Sequence, residues 1–161
     1  MVLGSNVGDR LSYLKKACQC LKNLLPLNFQ VSPVFETAPW GVRHQKGYYN
    51  LAVSATTAYG PFQLLNLFRK LERQYGRKTK GDYKPRTLDI DIILLGDVVI
   101  TSEQLTIPHR NMHERKFVLA PINCISPATM HPIYQKNIAD LLKQCSDNGK
   151  IIQLNDRIFS N

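Results

Sequence analysis

Apolar positions along the chain recur with two different periods, and the changes between them mark out the elements. Val2-Leu3 reads as the end of a strand leading into Gly4-Ser5-Asn6. From Asp9 a helix is predicted, because Leu11, Leu14, Cys18, Leu21 and Leu25 fall on one helical face, and Pro26 ends the run. Phe29 to Thr37 carries Val31, Val34 and Phe35 around Pro33, the pattern of a strand that is an edge or is bulged at the proline. Ala38 to Gly47, with Pro39, Gly41 and Gly47, reads as a loop. Tyr48 to Thr57 is rich in aromatic and β-branched residues and reads as a strand. Pro61 then stands where a first helical residue would, and Phe62, Leu65, Phe68, Leu71 and Tyr75 extend a second amphipathic helix to Gly76.

A basic loop runs from Arg77 to Pro85. Thr87 to Leu95 is a strong strand pattern, and Gly96-Asp97 predicts a hairpin into Val98-Val99-Ile100. Short helices are expected over Glu114 to Ala120 and Asn137 to Cys145, and a final strand over Ile151 to Leu154. The order strand, helix, strand, strand, helix, strand is that of an α+β, ferredoxin-like βαββαβ sandwich with an extra hairpin and C-terminal helices. With no repeat, linker or low-complexity tract, residues 1–161 read as a single domain.

Composition narrows the class. An apolar fraction of 43% and a charged fraction of 20% belong to a globular chain. No apolar run is long enough to span a membrane, and the first residues lack the basic and apolar regions of a signal peptide. Cys18, Cys20, Cys124 and Cys145 form no Cys-x-x-Cys pair, so they read as reduced thiols of a cytoplasmic protein, structural disulfides being the lesser alternative. The net charge of +9 favours an anionic partner: nucleic acid, an anionic membrane surface or a polyphosphate substrate. The charge is concentrated. Arg69, Lys70, Arg73, Arg77, Lys78, Lys80, Lys84 and Arg86 are opposed locally only by Glu72 and Asp82.

Directly after that basic run comes Leu88-Asp89-Ile90-Asp91-Ile92-Ile93-Leu94. In a strand, Asp89 and Asp91 share one face while Leu88, Ile90, Ile92 and Leu94 share the other. Two residues of rise put the aspartate Cα atoms roughly 6.5–7 Å apart, close enough for both carboxylates to converge on a hard cation or to bridge two. Paired carboxylates repel unless a cation compensates, and magnesium suits oxygen ligands shared with phosphates. Cations and carboxylates meeting at one spot supply what polyphosphate transfer needs, charge compensation and in-line positioning. The chain has no Gly-x-x-x-x-Gly-Lys-Ser/Thr phosphate loop, no dinucleotide-binding Gly-x-Gly-x-x-Gly and no Gly-x-Ser-x-Gly elbow. His44, His113 and His131 lack zinc spacing and read as surface or packing histidines.

The ordered signatures Gly4-Ser5-Asn6, Thr37-Ala38-Pro39, Tyr48-Tyr49-Asn50, Leu71-Glu72 with Gly76-Arg77, Pro85-Arg86-Thr87-Leu88-Asp89-Ile90-Asp91, Ile107-Pro108-His109 and Arg115-Lys116-Phe117-Val118-Leu119 add a resemblance. The chain resembles the 6-hydroxymethyl-7,8-dihydropterin pyrophosphokinases, enzymes of folate synthesis, from Gly4 to about Pro132. The resemblance implies pyrophosphoryl transfer from ATP to the hydroxymethyl group of a reduced pterin, giving AMP. It implies two Mg²⁺ ions held by Asp89 and Asp91, with Arg86, His109 and Arg115 serving the phosphates during transfer. It also implies nucleotide contacts at Glu72, Arg77, Lys80, Tyr83, Ile92 and Thr106. Thr37, Ala38, Trp40, Tyr48, Asn50, Asp89 and Phe117 would form the pterin pocket, with Tyr48 and Phe117 stacking on the ring. Two departures stand out: Asp82-Tyr83 where the family often has Arg-Trp, and Thr79 where Arg is common. The stretch before Gly4 is shorter than the family's usual first strand. The expected partners are ATP and the pterin, with no nucleic acid and no membrane, and another folate-pathway enzyme fused or adjacent. The alternatives are a Gly-Ser/Asp-x-Asp nucleotidyltransferase and a basic RNA-binding module.

Overall fold

The computed structural model describes residues 1–37, 47–76, 85–156 and 158–159. Strand β1 (Val2–Ser5) lies inside a sheet ordered β5-β1-β4-β3-β8, with β2 (Leu27–Val31), β3 (Phe35–Thr37), β4 (Tyr48–Thr56), β5 (Asp89–Asp91) and β8 (Ile151–Gln153). Every pairing in it is antiparallel. The nine-residue β4 is the spine. One edge pairs with β1, and the other pairs first with β3 and then, beyond Pro33, with β2. The single Phe29 to Thr37 strand expected from the sequence is therefore two. Proline has no N–H to give to a ladder, and the interruption at Pro33 divides what would be one strand.

Helix α1 (Arg10–Leu24) starts at Asp9, whose carboxylate accepts from the Ser12 N–H at 3.0 Å. Helix α2 (Pro61–Gln74) starts with the Gly60 N–H donating to Gln63 Oε1 at 2.7 Å, and Gly76 beyond its end takes a φ of 89°. Both helices join Leu3, Leu51, Val53 and Ile90 in one core cluster. Helices α3 (Lys116–Ile125) and α4 (Ile138–Gln144) build a second cluster with Val2 and Ala52, which lie on the opposite face of the sheet by strand alternation. The molecule is thus a mixed α/β sandwich with helices on both faces of an antiparallel sheet. No helix among the described residues is long and apolar enough to cross a membrane.

Two local expectations are corrected. The strand expected over Thr87 to Leu95 pairs only over Asp89–Asp91, because β1 offers partners no further than Val2↔Asp91. Past that point Ile93 and Leu94 turn to the second cluster. The hairpin expected at Gly96-Asp97 reduces to an isolated Leu95↔Asp97 bridge; Gly96 has a φ of 51°. The ladder forms further on, between β6 (Ile100–Thr101) and β7 (Thr106–Ile107). The helix expected over Glu114 to Ala120 is a 3-10 turn, Met112–Glu114, followed by α3, which runs through Pro121 to Ile125. The four cysteines are free thiols, and Cys18 is fully buried.

Candidate active site

Registers across three strands gather the predicted residues on the sheet face that α3 and α4 cover. Gly4 pairs with Asn50 on one side and Asp89 on the other, and Val2 pairs with Asp91 and Ala52. Gly4 is the floor of the arrangement. A β-carbon there would lie 3.0 Å from Asn50 Oδ1, 3.8 Å from a Tyr48 ring carbon and 4.0 Å from the Asp89 β-carbon. Three residues from two distant strands, β4 and β5, thus surround one missing side chain. Asn50 is buried, and its amide donates to Thr37 Oγ1 at 2.8 Å across the β3–β4 pair.

Asp89 and Asp91 flank buried Ile90 on edge strand β5 and are themselves half-buried. Arg86 Nη1 donates to Asp89 Oδ2 at 2.5 Å, the two side chains being 24% and 15% exposed. Burial alone would lower the Arg86 pKa. The adjoining Asp89 carboxylate with its hydrogen bond, the Tyr48 phenol and Asp91 outweigh it and lift Arg86 above its ordinary value, so it stays a cation. These same influences tie Arg86 electrostatically to both metal candidates and to the pterin candidate Tyr48.

Two supports here were not read from the sequence in these roles. Asn6 holds Arg86 through its backbone: Asn6 Oδ1 accepts from the Arg86 N–H at 2.6 Å, and the Asn6 N–H donates to the Arg86 carbonyl at 3.0 Å. Glu72 is 2% exposed, and its Oε1 accepts from the Ile90 N–H at 2.9 Å. It thereby covers the outward edge of β5 between the two aspartates. A carboxylate among apolar helix positions was the available signal for Glu72. For Asn6 the signal was its place directly after the Gly4-Ser5 end of β1, within the Gly-Ser-Asn signature.

On the far side, the chain after β5 carries the remaining groups. The His109 N–H donates to the Ile93 carbonyl at 2.9 Å, directly after a cis Ile107-Pro108 peptide. Arg115 lies at the start of α3 with its guanidinium carbon 5.8 Å from the Phe117 ring centre, and Phe117 packs against the cluster that holds Val2 and Ala52. The first backbone N–H of α3, at Lys116, is met by Asp147 Oδ2 at 3.0 Å. Thr106 is set by pairing with Thr101 in the β6–β7 ribbon, and Ile92 is buried in the first core cluster. Ala38, Trp40, Arg77, Lys80 and Tyr83 lie outside the described residues. His131 is a packing histidine as expected, buried with its Nδ1 accepting from the N–H groups of Ile133 and Tyr134.

Comparison with known proteins bears on this geometry. The sequence model of the 7,8-dihydro-6-hydroxymethylpterin-pyrophosphokinase family matches residues 1–127. The chain belongs to that family. The 2-amino-4-hydroxy-6-hydroxymethyldihydropteridine pyrophosphokinase of Aquifex aeolicus is 39% identical to it over 86% of this chain and 86% of its own length. The enzyme of the same name from Bacillus subtilis is 42% identical over 76% of this chain and 74% of its own. In fold, the chain is similar to the crystal structure of wild-type Plasmodium falciparum HPPK-DHPS, with a TM-score of 0.60 at 14% identity, over 89% of this chain and 40% of that one. This pyrophosphokinase is accordingly a diphosphotransferase of folate biosynthesis, moving pyrophosphate from ATP to the hydroxymethyl group of 6-hydroxymethyl-7,8-dihydropterin. Neither the nucleotidyltransferase nor the RNA-binding alternative is favoured by these matches.

Proposed function

We propose that this enzyme performs the transfer on the sheet face around Gly4, with the pterin against Tyr48 and Asn50 and the nucleotide phosphates against Asp89, Asp91 and Arg86. The observation that carries the reading is the convergence of Asn50, Tyr48 and Asp89 on Gly4, which puts a ring-recognising amide beside a carboxylate pair and a cation. Asn50 offers a donor and an acceptor for the lactam and amino edge of the pterin. Tyr48 and Phe117 supply flat faces for its two sides. Thr37, bonded to the Asn50 amide, fixes which way that amide points, and Ala38 and Trp40, which follow it in sequence, are assigned to the same pocket.

In the reaction, the hydroxymethyl oxygen attacks the β-phosphorus in line. The bond from the β-phosphorus to the oxygen bridging it to the α-phosphorus breaks, and AMP leaves with that oxygen. The hydroxyl proton is lost to solvent or to a phosphate oxygen. No covalent enzyme intermediate is involved. Arg86, held as a cation, stabilises charge on the phosphoryl oxygens, with His109 and Arg115 serving the same phosphates from the α3 side. Glu72, bonded to β5, and Ile92, just after it, act on the nucleotide side with Thr106, three residues before His109, and the basic residues Arg77 and Lys80 with Tyr83 are assigned to the triphosphate.

The donor set fits Mg²⁺. Asp89 and Asp91 provide hard oxygens, and among the described residues no third His, Cys, Asp or Glu joins them in a closed cage. So open a set of carboxylate oxygens would suit Mg²⁺, which binds through few protein ligands and prefers to share substrate phosphates. Asp89 and Asp91 would hold two Mg²⁺ ions, which would supply charge neutralisation for the triphosphate. The strand order β5-β1-β4 followed by β2 and β3, with α1 and α2 on one face, supports a ferredoxin-like βαββαβ core carrying the β6–β7 ribbon and α3–α4 as additions, in one domain. We place the enzyme in the cytoplasm with ATP and the reduced pterin as its partners. The Plasmodium HPPK-DHPS chain, of which this one covers 40%, supports fusion to or neighbourhood with another folate-pathway enzyme. The test is incubation with ATP, Mg²⁺ and 6-hydroxymethyl-7,8-dihydropterin followed by chromatography. AMP and a pterin diphosphate are expected; pyrophosphate and an adenylylated pterin would overturn the reading.

A further inference from the structure

Arg10, the first residue of α1, makes more contacts with the β3–β4 pair than a surface arginine needs. Its Nη1 donates to Glu36 Oε1 at 3.1 Å and to the Gly47 carbonyl at 2.7 Å, and its guanidinium carbon lies 3.7 Å from the centre of the Tyr49 ring. Glu36 is opposite Tyr49 in the ladder, so one planar cation engages both members of a cross-strand pair and the chain just before β4. Only 19% of its side chain is exposed.

The pairs on either side of Glu36↔Tyr49 are Phe35↔Asn50 and Thr37↔Tyr48. By strand alternation they point to the opposite sheet face, the one assigned above to the pterin. Gly47 closes the same corner, because a β-carbon there would come 2.8 Å from the Thr37 carbonyl and 3.4 Å from Glu36 Oε1. The Arg10 fork therefore fixes the separation and twist of the two strands at the level where Thr37 orients the Asn50 amide. Both hydrogen bonds leave one nitrogen, and what arginine adds over lysine is a flat guanidinium that makes them while lying over the Tyr49 ring.

We infer that Arg10 is a positioning residue for the pterin-binding edge, acting through the Glu36–Tyr49 pair from the reverse face of the sheet. The inference rests on the assignment of Thr37, Tyr48 and Asn50 to the pterin. Arg10 itself touches no substrate. Loosening it misaligns the Asn50 amide and the Tyr48 ring and leaves the nucleotide side, built on β5 and Arg86, as it was.

The test uses the full chain with Arg10→Met, which keeps the stem and removes the fork, Arg10→Lys, and Glu36→Gln, which keeps the hydrogen bond without the charge. Steady-state kinetics with each substrate varied in turn are paired with equilibrium titration of pterin fluorescence in the presence of Mg²⁺ and α,β-methylene ATP, whose α–β link is not cleaved. Arg10→Met is expected to raise the pterin KM and dissociation constant about tenfold and to leave the ATP KM within about twofold. Arg10→Lys is expected to recover part of the loss, and Glu36→Gln to cost about two- to threefold, again on the pterin side alone. A fall in melting temperature with the pterin constants unchanged, or an equal rise in both KM values, would overturn the inference. Should Arg10→Met fail to fold, the pterin-only effect of Glu36→Gln decides. Asn50→Ala separates the two layers: if it leaves pterin binding intact, the site assignment fails; if it weakens binding while the Arg10 and Glu36 variants do not, only the positioning role fails.

Discussion

A methyl group at Gly4 tests the site at its centre. The β-carbon of Gly4→Ala would sit 3.0 Å from Asn50 Oδ1, inside the ordinary contact range that begins near 3.4 Å, whereas its distances to Tyr48 and Asp89 are already ordinary. The Asn50 amide must therefore give way by a few tenths of an ångström. It is not free to do so, being buried and tied to Thr37 Oγ1 at 2.8 Å. Losing or bending that hydrogen bond costs about 0.5–1.5 kcal/mol of stability. The same displacement spoils a two-pronged contact to the pterin, worth about 1–2 kcal/mol, which is roughly a 5- to 30-fold rise in the pterin KM. The assay is initial-rate AMP formation with pterin varied at saturating ATP and then the reverse, with circular dichroism to confirm folding. The ATP KM should hold within about twofold. Because Asn50→Ala removes the clash, the double variant should be less unstable than the sum of the singles. A folded Gly4→Ala enzyme with an unchanged pterin KM, or with both KM values raised alike, would refute the reasoning.

Asp91→Asn should lower turnover by about 100-fold or more at saturating Mg²⁺ while the protein stays folded; near-normal AMP release would remove the metal assignment. Glu72→Ala strips the acceptor from the Ile90 N–H and should cost about 1–3 kcal/mol in urea unfolding, together with a weaker Mg²⁺ dependence, whereas Glu72→Gln should stay near wild type. Burial first, and then the charge of His113, hold the His131 pKa below its ordinary 6.5, against a smaller opposing backbone hydrogen bond. The folded protein thus favours neutral His131, and this stability is present above about pH 6.5 and lost as pH falls below it. Urea midpoints between pH 7 and 5 should fall in the wild type and flatten in His131→Asn. Burial pushes the Cys18 thiol up to about 12 and raises that of exposed Cys124 less, so a disulfide reagent at pH 8 should label Cys124 in the folded protein and reach Cys18 only on unfolding.

What the sequence made readable was local. Helices α1 and α2 follow from a 3.6-residue period closed by Asp9, Pro61 and Gly76, each acting within a few residues of itself. The alternation around Asp89 and Asp91 was readable for the same reason, and it failed past Asp91 because a ladder's end depends on its partner. Nothing in the spacing of Val2 to Ser5 says that the strand will lie between β4 and β5, and that choice is what brings Gly4 to Asn50 and Asp89. The supporting residues were hidden likewise. Asn6 meets Arg86 eighty positions away, Arg10 meets Gly47, and Asp147 meets Lys116, all through contacts that only folding creates. The roles of Tyr48 and Phe117 came from family resemblance, since an aromatic residue on a half-buried face carries no mark of what stacks on it.

On the proposed assignment, the two substrates would face backbones of unequal stiffness. Tyr48 and Asn50 ride on a strand with neighbours along both sides, while Asp89 and Asp91 ride on one with a single neighbour and a lone carboxylate standing in for the other. Amide exchange should accordingly be slowest along β4 and faster along β5. Selectivity for the flat ring can then be built into a fixed template, and the pliant border can take up the shifts of charge and bond length as the phosphoryl group crosses.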